Sequence, residues 1–399
     1  MLKNSFYADL SPVNKYIIKC CFFIFFVNGL YAMIFGSILP LISESYQLSD
    51  TVSGMLISSH QTGNLIAGFI AGILPIYIGR KNAILFLSSF VIAGFFLIII
   101  TGQPLFLLLA FFFTGISRGS ISNFNNKTVN DISNSSPSAL NLLHSLFAIG
   151  ALISPFLVIL MTVFFGSNGW KVSCAVIILL IIISQWMFSK MPIEQSVAKE
   201  QKSKTKDAYA FFSDRLFWNT VMIIFFYLCA EASITGWLVK YFVDSNIMSI
   251  NQGQMLASLL WFAILIGRLL CTFFGDYLKR SQLLLIISIG ASFFYFLLLS
   301  TQTYSIIILA VLGLGASMGG IYPTALTIAG PAIKKYPMAM GWLLIIGGIG
   351  GIAMPIITGV LSTKFGIFAG MSAIIVAIII MLVGVILYII LERKNKSLA

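Results

Sequence analysis

Apolar runs long enough to cross a bilayer follow one another along this chain, and they come in two matching sets. A helix needs about 20 apolar residues to span a hydrocarbon core roughly 30 Å thick. Such runs fall near 16–42, 52–77, 82–101, 105–127, 138–163 and 171–189, and again near 215–243, 253–276, 282–301, 304–330, 337–362 and 367–391. Landmarks recur between the sets at an offset of about 200 positions: Ile76-Tyr77-Ile78-Gly79-Arg80 stands opposite Asp276-Tyr277-Leu278-Lys279-Arg280, and Gly150 with Pro155 opposite Gly350 with Pro355. Backbone in lipid must satisfy its own hydrogen bonds, so runs of this length are read as helices. The expected fold is an all-α membrane protein with twelve transmembrane helices in two pseudo-symmetric six-helix bundles, over residues 1–189 and 215–399. The charged stretch 190–214 between them reads as a flexible cytoplasmic linker. Such a duplication is the mark of a secondary transporter, with its site near the bilayer midplane where the repeats meet.

Composition excludes the soluble classes. The chain is 59% hydrophobic and 9% charged, against about 25% charge in a soluble protein. A net charge of +12 would suggest a nucleic-acid partner in a soluble chain, but here the distribution gives it another meaning. With an even helix count, 19 of the 24 Lys and Arg residues fall on the side of the termini, and only Lys171, Lys240 and Lys364 on the other. Basic loops stay in the cytoplasm, so both termini are expected there. The remaining two, Arg118 and Arg268, lie inside helices. The five cysteines show no metal-ligand spacing and no extracellular pairing pattern, and no catalytic constellation, phosphate loop or large polar loop supports an enzyme or receptor.

The stretch from Gly72 through Gly79-Arg80-Lys81 resembles the loop signature of the major facilitator superfamily, in which a glycine, an aspartate and a Gly-Arg-Lys end form a cytoplasmic latch. Ile76 stands where the aspartate is usual; the second copy keeps Asp276 and Arg280 but has Lys279 in place of the glycine. Within the superfamily, Asn141 to His144 running into Gly150 and Pro155, Glu231 before Gly236-Trp237, Gly267-Arg268 before Asp276, and Gly315 through Tyr322-Pro323-Thr324 resemble the fucose/proton symporter group and related bacterial sugar permeases. That resemblance implies a rocker-switch carrier with Arg80, Arg268, Asp276 and Arg280 in gating. It also places proton-carrying acids in the first and fourth helices, where this chain has Asn28 and Asn125 instead.

On its own chemistry, an ionisable residue in the bilayer is a functional candidate by default. Glu231, the acid deepest in a helix, is the expected proton-coupling residue. Arg118, Ser122, Asn125 and Asn126 share one face of the fourth helix by their spacing, which lipid cannot cover. Arg118 and Asn125 are expected to contact solute, as are Asn28, Asn141 and His144. Trp237 and Trp261 offer indole faces for a sugar ring, and Tyr322 beside Pro323 offers a hydroxyl at a helix break.

The leading functional expectation is a proton-coupled symporter of a sugar or polyol working by alternating access. The alternative is an organic-anion or drug transporter, favoured by the two intramembrane arginines. Expected partners are a small-molecule solute, protons and the lipid bilayer, with a monomeric chain, no nucleic acid, no cofactor and no metal.

Overall fold

A computed structural model describes residues 7, 10–134, 136–192, 210–274, 277–328 and 336–397. Among them are twelve long helices and no strand: α1 (Pro12–Tyr46), α2 (Asp50–Ile78), α3 (Arg80–Ile100), α4 (Pro104–Ile132), α5 (Pro137–Phe165), α6 (Gly169–Lys190), α7 (Arg215–Asp244), α8 (Ile250–Phe274), α9 (Arg280–Ser300), α10 (Tyr304–Ile328), α11 (Pro337–Phe365) and α12 (Ile367–Ser397). Local chemistry sets several of their ends. Ser11 caps α1 by accepting from the Asn14 N–H at 3.2 Å, with Pro12 in the first turn, where its missing N–H costs nothing. Gly79, at φ 80°, breaks the chain between α2 and α3, a conformation that favours glycine.

Two expectations change. Helix α4 continues to Ile132, past the apolar run that ends near 127, so its polar end is helical and carries Asp131. Of the stretch read as a flexible linker, 193–209 lie outside the described residues, but its end is built into the fold. Ala210–Ser213 form a 3₁₀ turn, Phe211 is fully buried with its ring 4.8 Å from Phe217, and Asp214 caps α7 by accepting from the Leu216 N–H at 2.8 Å.

The chain divides into two compact units, Met1–Leu48 with Ser59–Glu200, and Ser49–Ser58 with Gln201–Ala399. In the first unit α1 crosses α5 where each presents a glycine: a Cβ on Gly29 would collide with the Phe147 carbonyl, and one on Gly150 with the Phe26 carbonyl. Within the second unit, α7 crosses α11 with a glycine on one side only, Gly350 lying against the Phe225 carbonyl. The repeat is equally plain between α2 and α4 and between α8 and α10. Gly115 meets the His60 carbonyl and Gly119 that of Asn64, while Gly315 meets Leu260 and Gly319 meets Ile264. The offset of 200 is therefore carried in three dimensions. Close backbone approach at small residues is how helices pack when lipid removes the hydrophobic drive between them.

The start of α2 belongs to the second unit and is held there by polar contacts. The Thr51 N–H donates to Thr363 Oγ1 at 2.9 Å, Ser58 Oγ donates to the Ile352 carbonyl at 2.6 Å, and Asp50 pairs with Lys240 Nζ at 3.1 Å. Lys240 also bonds Asp244, one turn along α7. The lysine side chain is only 8% exposed, against 19% for Asp50 and 33% for Asp244. Removing the cation leaves two facing carboxylates. Breaking a fully buried pair costs about 3–5 kcal/mol and an exposed one about 0–1 kcal/mol, so this cluster lies between. Lys240→Met is expected to lower the thermal unfolding midpoint clearly in detergent, and Asp50→Asn with Asp244→Asn in the same chain to restore most of it. An unchanged midpoint in the single variant would show that the cluster contributes nothing to stability.

Candidate functional site

Among the described residues, each unit places a cluster of polar and ionisable side chains along its membrane helices. In the first, three helices converge. Helix α4 supplies Thr114, Ser117 and Arg118 one turn apart; α2 supplies His60, 4% exposed; α1 supplies Tyr31 and Phe35. His60 Nδ1 lies 2.9 Å from Thr114 Oγ1 and its Nε2 lies 3.4 Å from Arg118 Nη1. Tyr31 Oη reaches Ser117 Oγ at 3.5 Å and lies within the field of the guanidinium. Phe35 covers the imidazole with ring centroids 4.9 Å apart.

The neighbouring asparagines are placed differently from expectation. Asn125 is fully buried and its Nδ2 donates to the Ile121 carbonyl at 2.8 Å, so one of its two N–H donors is used within α4, and Oδ1 has no partner among the described residues. Asn28 is fully buried with neither Nδ2 nor Oδ1 bonded among the described residues. An orphaned buried amide costs roughly 1–3 kcal/mol, which makes Asn28 the stronger candidate of the two. Asn141 and His144 lie exposed in the first turns of α5, His144 edge-on to Phe25 at 5.3 Å.

The second unit builds its cluster around Glu231, half-buried near the middle of α7. Tyr227, one turn earlier, donates its hydroxyl to Glu231 Oε1 at 2.8 Å and lies 3.2 Å from the Met318 carbonyl of α10. The Tyr322 ring sits 6.2 Å from that of Tyr227, and Arg268 of α8 acts on the same phenol through its charge. Glu231, Arg268 and Tyr322, chosen separately in the sequence, are thus brought into one neighbourhood.

Trp237 is fully buried, its indole Nε1 without a hydrogen-bond partner among the described residues, and Trp261 is 6% exposed, so both are packed within the fold. Trp342 stacks edge-on to Phe212 at 5.3 Å in the aromatic cluster at the start of α7.

Of the gating residues, Asp276 lies outside the described residues, and Arg280 opens α9 exposed. Arg80 is anchored to α4: it donates to Thr128 Oγ1 at 3.1 Å, pairs with Asp131 at 3.6 Å and lies 5.3 Å from the Phe124 ring. Arg80 thus has a carboxylate partner on α4, while position 76 itself supplies none.

Five functional candidates escaped the sequence reading. Tyr227 was findable, since i and i+4 share a helix face. The same spacing signalled Lys240 with Asp244. His60 and Asp131 gave no such signal, because their partners lie about 50 residues away on other helices.

Comparison with known proteins bears on the whole chain. The Major Facilitator Superfamily model matches residues 21–330. A TsgA homolog of Buchnera aphidicola subsp. Baizongia pistaciae is 24% identical over 384 residues, covering 93% of this chain and 94% of that protein. The glucose/mannose transporter GlcP of Bacillus subtilis is 24% identical over 374 residues, covering 89% and 91%. Among solved structures, an inward-facing bacterial homolog of the human lysosomal transporter Spinster matches with a TM-score of 0.76 at 15% identity, covering 95% of this chain and 97% of that one. The nucleoside transporter NupG matches with a TM-score of 0.75 at 14% identity, covering 96% and 100%. These two likenesses concern the fold.

Proposed function

The chain belongs to the Major Facilitator Superfamily, and from that premise we propose that it is a proton-coupled symporter of a neutral sugar or polyol working by alternating access. The observation that carries this reading is Glu231, a carboxyl in the middle of a membrane helix, held by the Tyr227 hydroxyl at 2.8 Å with Arg268 in the same cluster. A carboxyl there exchanges a proton without leaving its site, and each proton moving down about 100 mV supplies about 2.3 kcal/mol, enough for roughly fifty-fold accumulation. The likeness to a glucose/mannose transporter along most of both chains supports a sugar. Solute contacts are assigned to Arg118, Asn28 and Tyr322, with Arg80 and Arg268 in gating. The chain is read as a monomer in a bacterial inner membrane with both termini cytoplasmic, its functional halves being 1–189 and 215–399 about the 190–214 linker.

A second reading, transport of an organic anion, is favoured by the two intramembrane guanidiniums of Arg118 and Arg268. Arginine suits carboxylates because its planar fork binds them with two hydrogen bonds. Counterflow in proteoliposomes separates the readings, with glucose, uridine and gluconate as probes. Saturable glucose counterflow, together with glucose-dependent thermal stabilisation of the purified protein, is the expected result. Gluconate counterflow without glucose counterflow would replace the sugar reading by the anion one.

A further inference from the structure

We infer that Tyr227 is the positioning residue of Glu231, its hydroxyl hydrogen turning toward Glu231 Oε1 when the acid is ionised and toward the Met318 carbonyl when it is protonated; this rests on Glu231 being the proton carrier. A phenol has one hydrogen to give and an oxygen that also accepts. Two acceptors stand within reach of that single hydrogen, Glu231 Oε1 at 2.8 Å on the same helix and the Met318 carbonyl of α10 at 3.2 Å. It cannot serve both fully. Tyr227 is only 3% exposed, so the choice lies between these two protein groups. A carboxylate is the stronger acceptor, and beside the ionised acid the hydrogen therefore goes to Oε1.

Protonation at Oε1 reverses the roles. A carboxylic acid donates through its O–H, and the atom that faces Oε1 is the phenol oxygen. Without a second acceptor for the phenol, two hydrogens would meet across that contact. The Met318 carbonyl removes the obstacle: its oxygen has two lone pairs, so beyond any bond along its own helix it can take the phenol hydrogen. The phenol oxygen then accepts from the acid. Each charge state of Glu231 thereby has its hydrogen bonds from the same three groups, by a turn of the hydroxyl hydrogen alone. Around this pair, α8 brings Arg268, whose charge acts on the phenol, and α10 brings Tyr322, its ring 6.2 Å from that of Tyr227. Helices α11 and α12, which also pack on α7, carry no charged residue short of Lys364 and Glu392 near their ends. Along α7 itself the flanking charges are Arg215 and Lys240, more than two turns away on either side.

The test needs no solute. Infrared difference spectra of the full-length protein in lipid vesicles, taken between high and low pH, report the carboxylic acid that forms and any phenol whose bonding changes. The Glu231 C=O band is the one missing in Glu231→Gln. It should appear together with a shift of one tyrosine C–O band, and that shift should be absent from both Glu231→Gln and Tyr227→Phe. Ring-¹³C tyrosine identifies the tyrosine band in the unsubstituted protein, so this first readout does not depend on how well Tyr227→Phe folds. In Tyr227→Phe, which keeps the ring, the Glu231 band should move to higher wavenumber, because the acid has lost the oxygen it donated to. Tyr295→Phe is the control: it removes another buried phenol of the same unit, bonded to the Met371 carbonyl at 2.8 Å, and should leave both bands in place. A Glu231 band that forms with no tyrosine shift, or that Tyr227→Phe leaves unmoved, would overturn the inference while Glu231 stays the proton carrier. If no Glu231 band forms at any pH at which the protein is folded, Glu231 carries no proton and the role of Tyr227 falls with it.

Discussion

Glu231→Gln is expected to abolish proton-driven accumulation of solute while leaving counterflow of the same solute intact. Glutamine keeps the size of the side chain and an oxygen that accepts from Tyr227, so the contact seen at 2.8 Å survives and α7 retains its packing. What it lacks is the ability to gain and lose a proton. Counterflow requires only that the loaded carrier reorient and exchange, whereas accumulation requires net proton release on the far side. Loss of one fiftyfold gradient is the loss of about 2.3 kcal/mol per proton at about 100 mV, so accumulation should fall to equilibration. Glucose uptake with an imposed pH gradient, beside counterflow without one, gives both readings from the same vesicles. If the variant still concentrates glucose, Glu231 is a structural hydrogen-bond acceptor and the coupling proton travels elsewhere.

The second large effect is structural. Gly150→Leu should sharply reduce the yield of folded protein, and combining it with Gly29→Leu should eliminate it. At this crossing of α1 and α5 each added Cβ meets a main-chain carbonyl of the opposite helix, Phe26 for Gly150 and Phe147 for Gly29. A flexible side chain could turn aside, but a helix backbone cannot move without carrying its neighbours. Overpacking a well-packed interior costs about 1–3 kcal/mol and at times more, and contacts on backbone belong at the upper end. Two such terms consume much of a total stability of about 5–15 kcal/mol. Gly68 and Gly72, with nothing within 4 Å of an added Cβ, are the controls: leucine at either should leave the yield of monodisperse protein nearly unchanged. Equal yields from the Gly150 and Gly68 variants would mean that α1 and α5 do not approach as closely as described.

What is periodic along one chain was legible from the sequence alone. Apolar runs, glycine landmarks and the 200-residue register specified an all-helical membrane protein with a twofold repeat, because a bilayer permits few solutions and each helix makes its hydrogen bonds within itself. Glu231 and Arg118 stood out for the same reason: a charge in an apolar run is anomalous whatever surrounds it. Which side chains share a space was decided only by the tertiary structure. Trp237 is wholly enclosed, Asn125 spends one of its two N–H donors on its own helix, and Arg80 meets a carboxylate, Asp131, that lies on another helix. His60 is the sharpest case. Its meeting with Arg118 depends on how closely α2 and α4 approach at Gly115 and Gly119, and hence on the absence of two Cβ atoms between the helices. A crossing point of that kind belongs to two segments at once, and no reading of either segment by itself contains it.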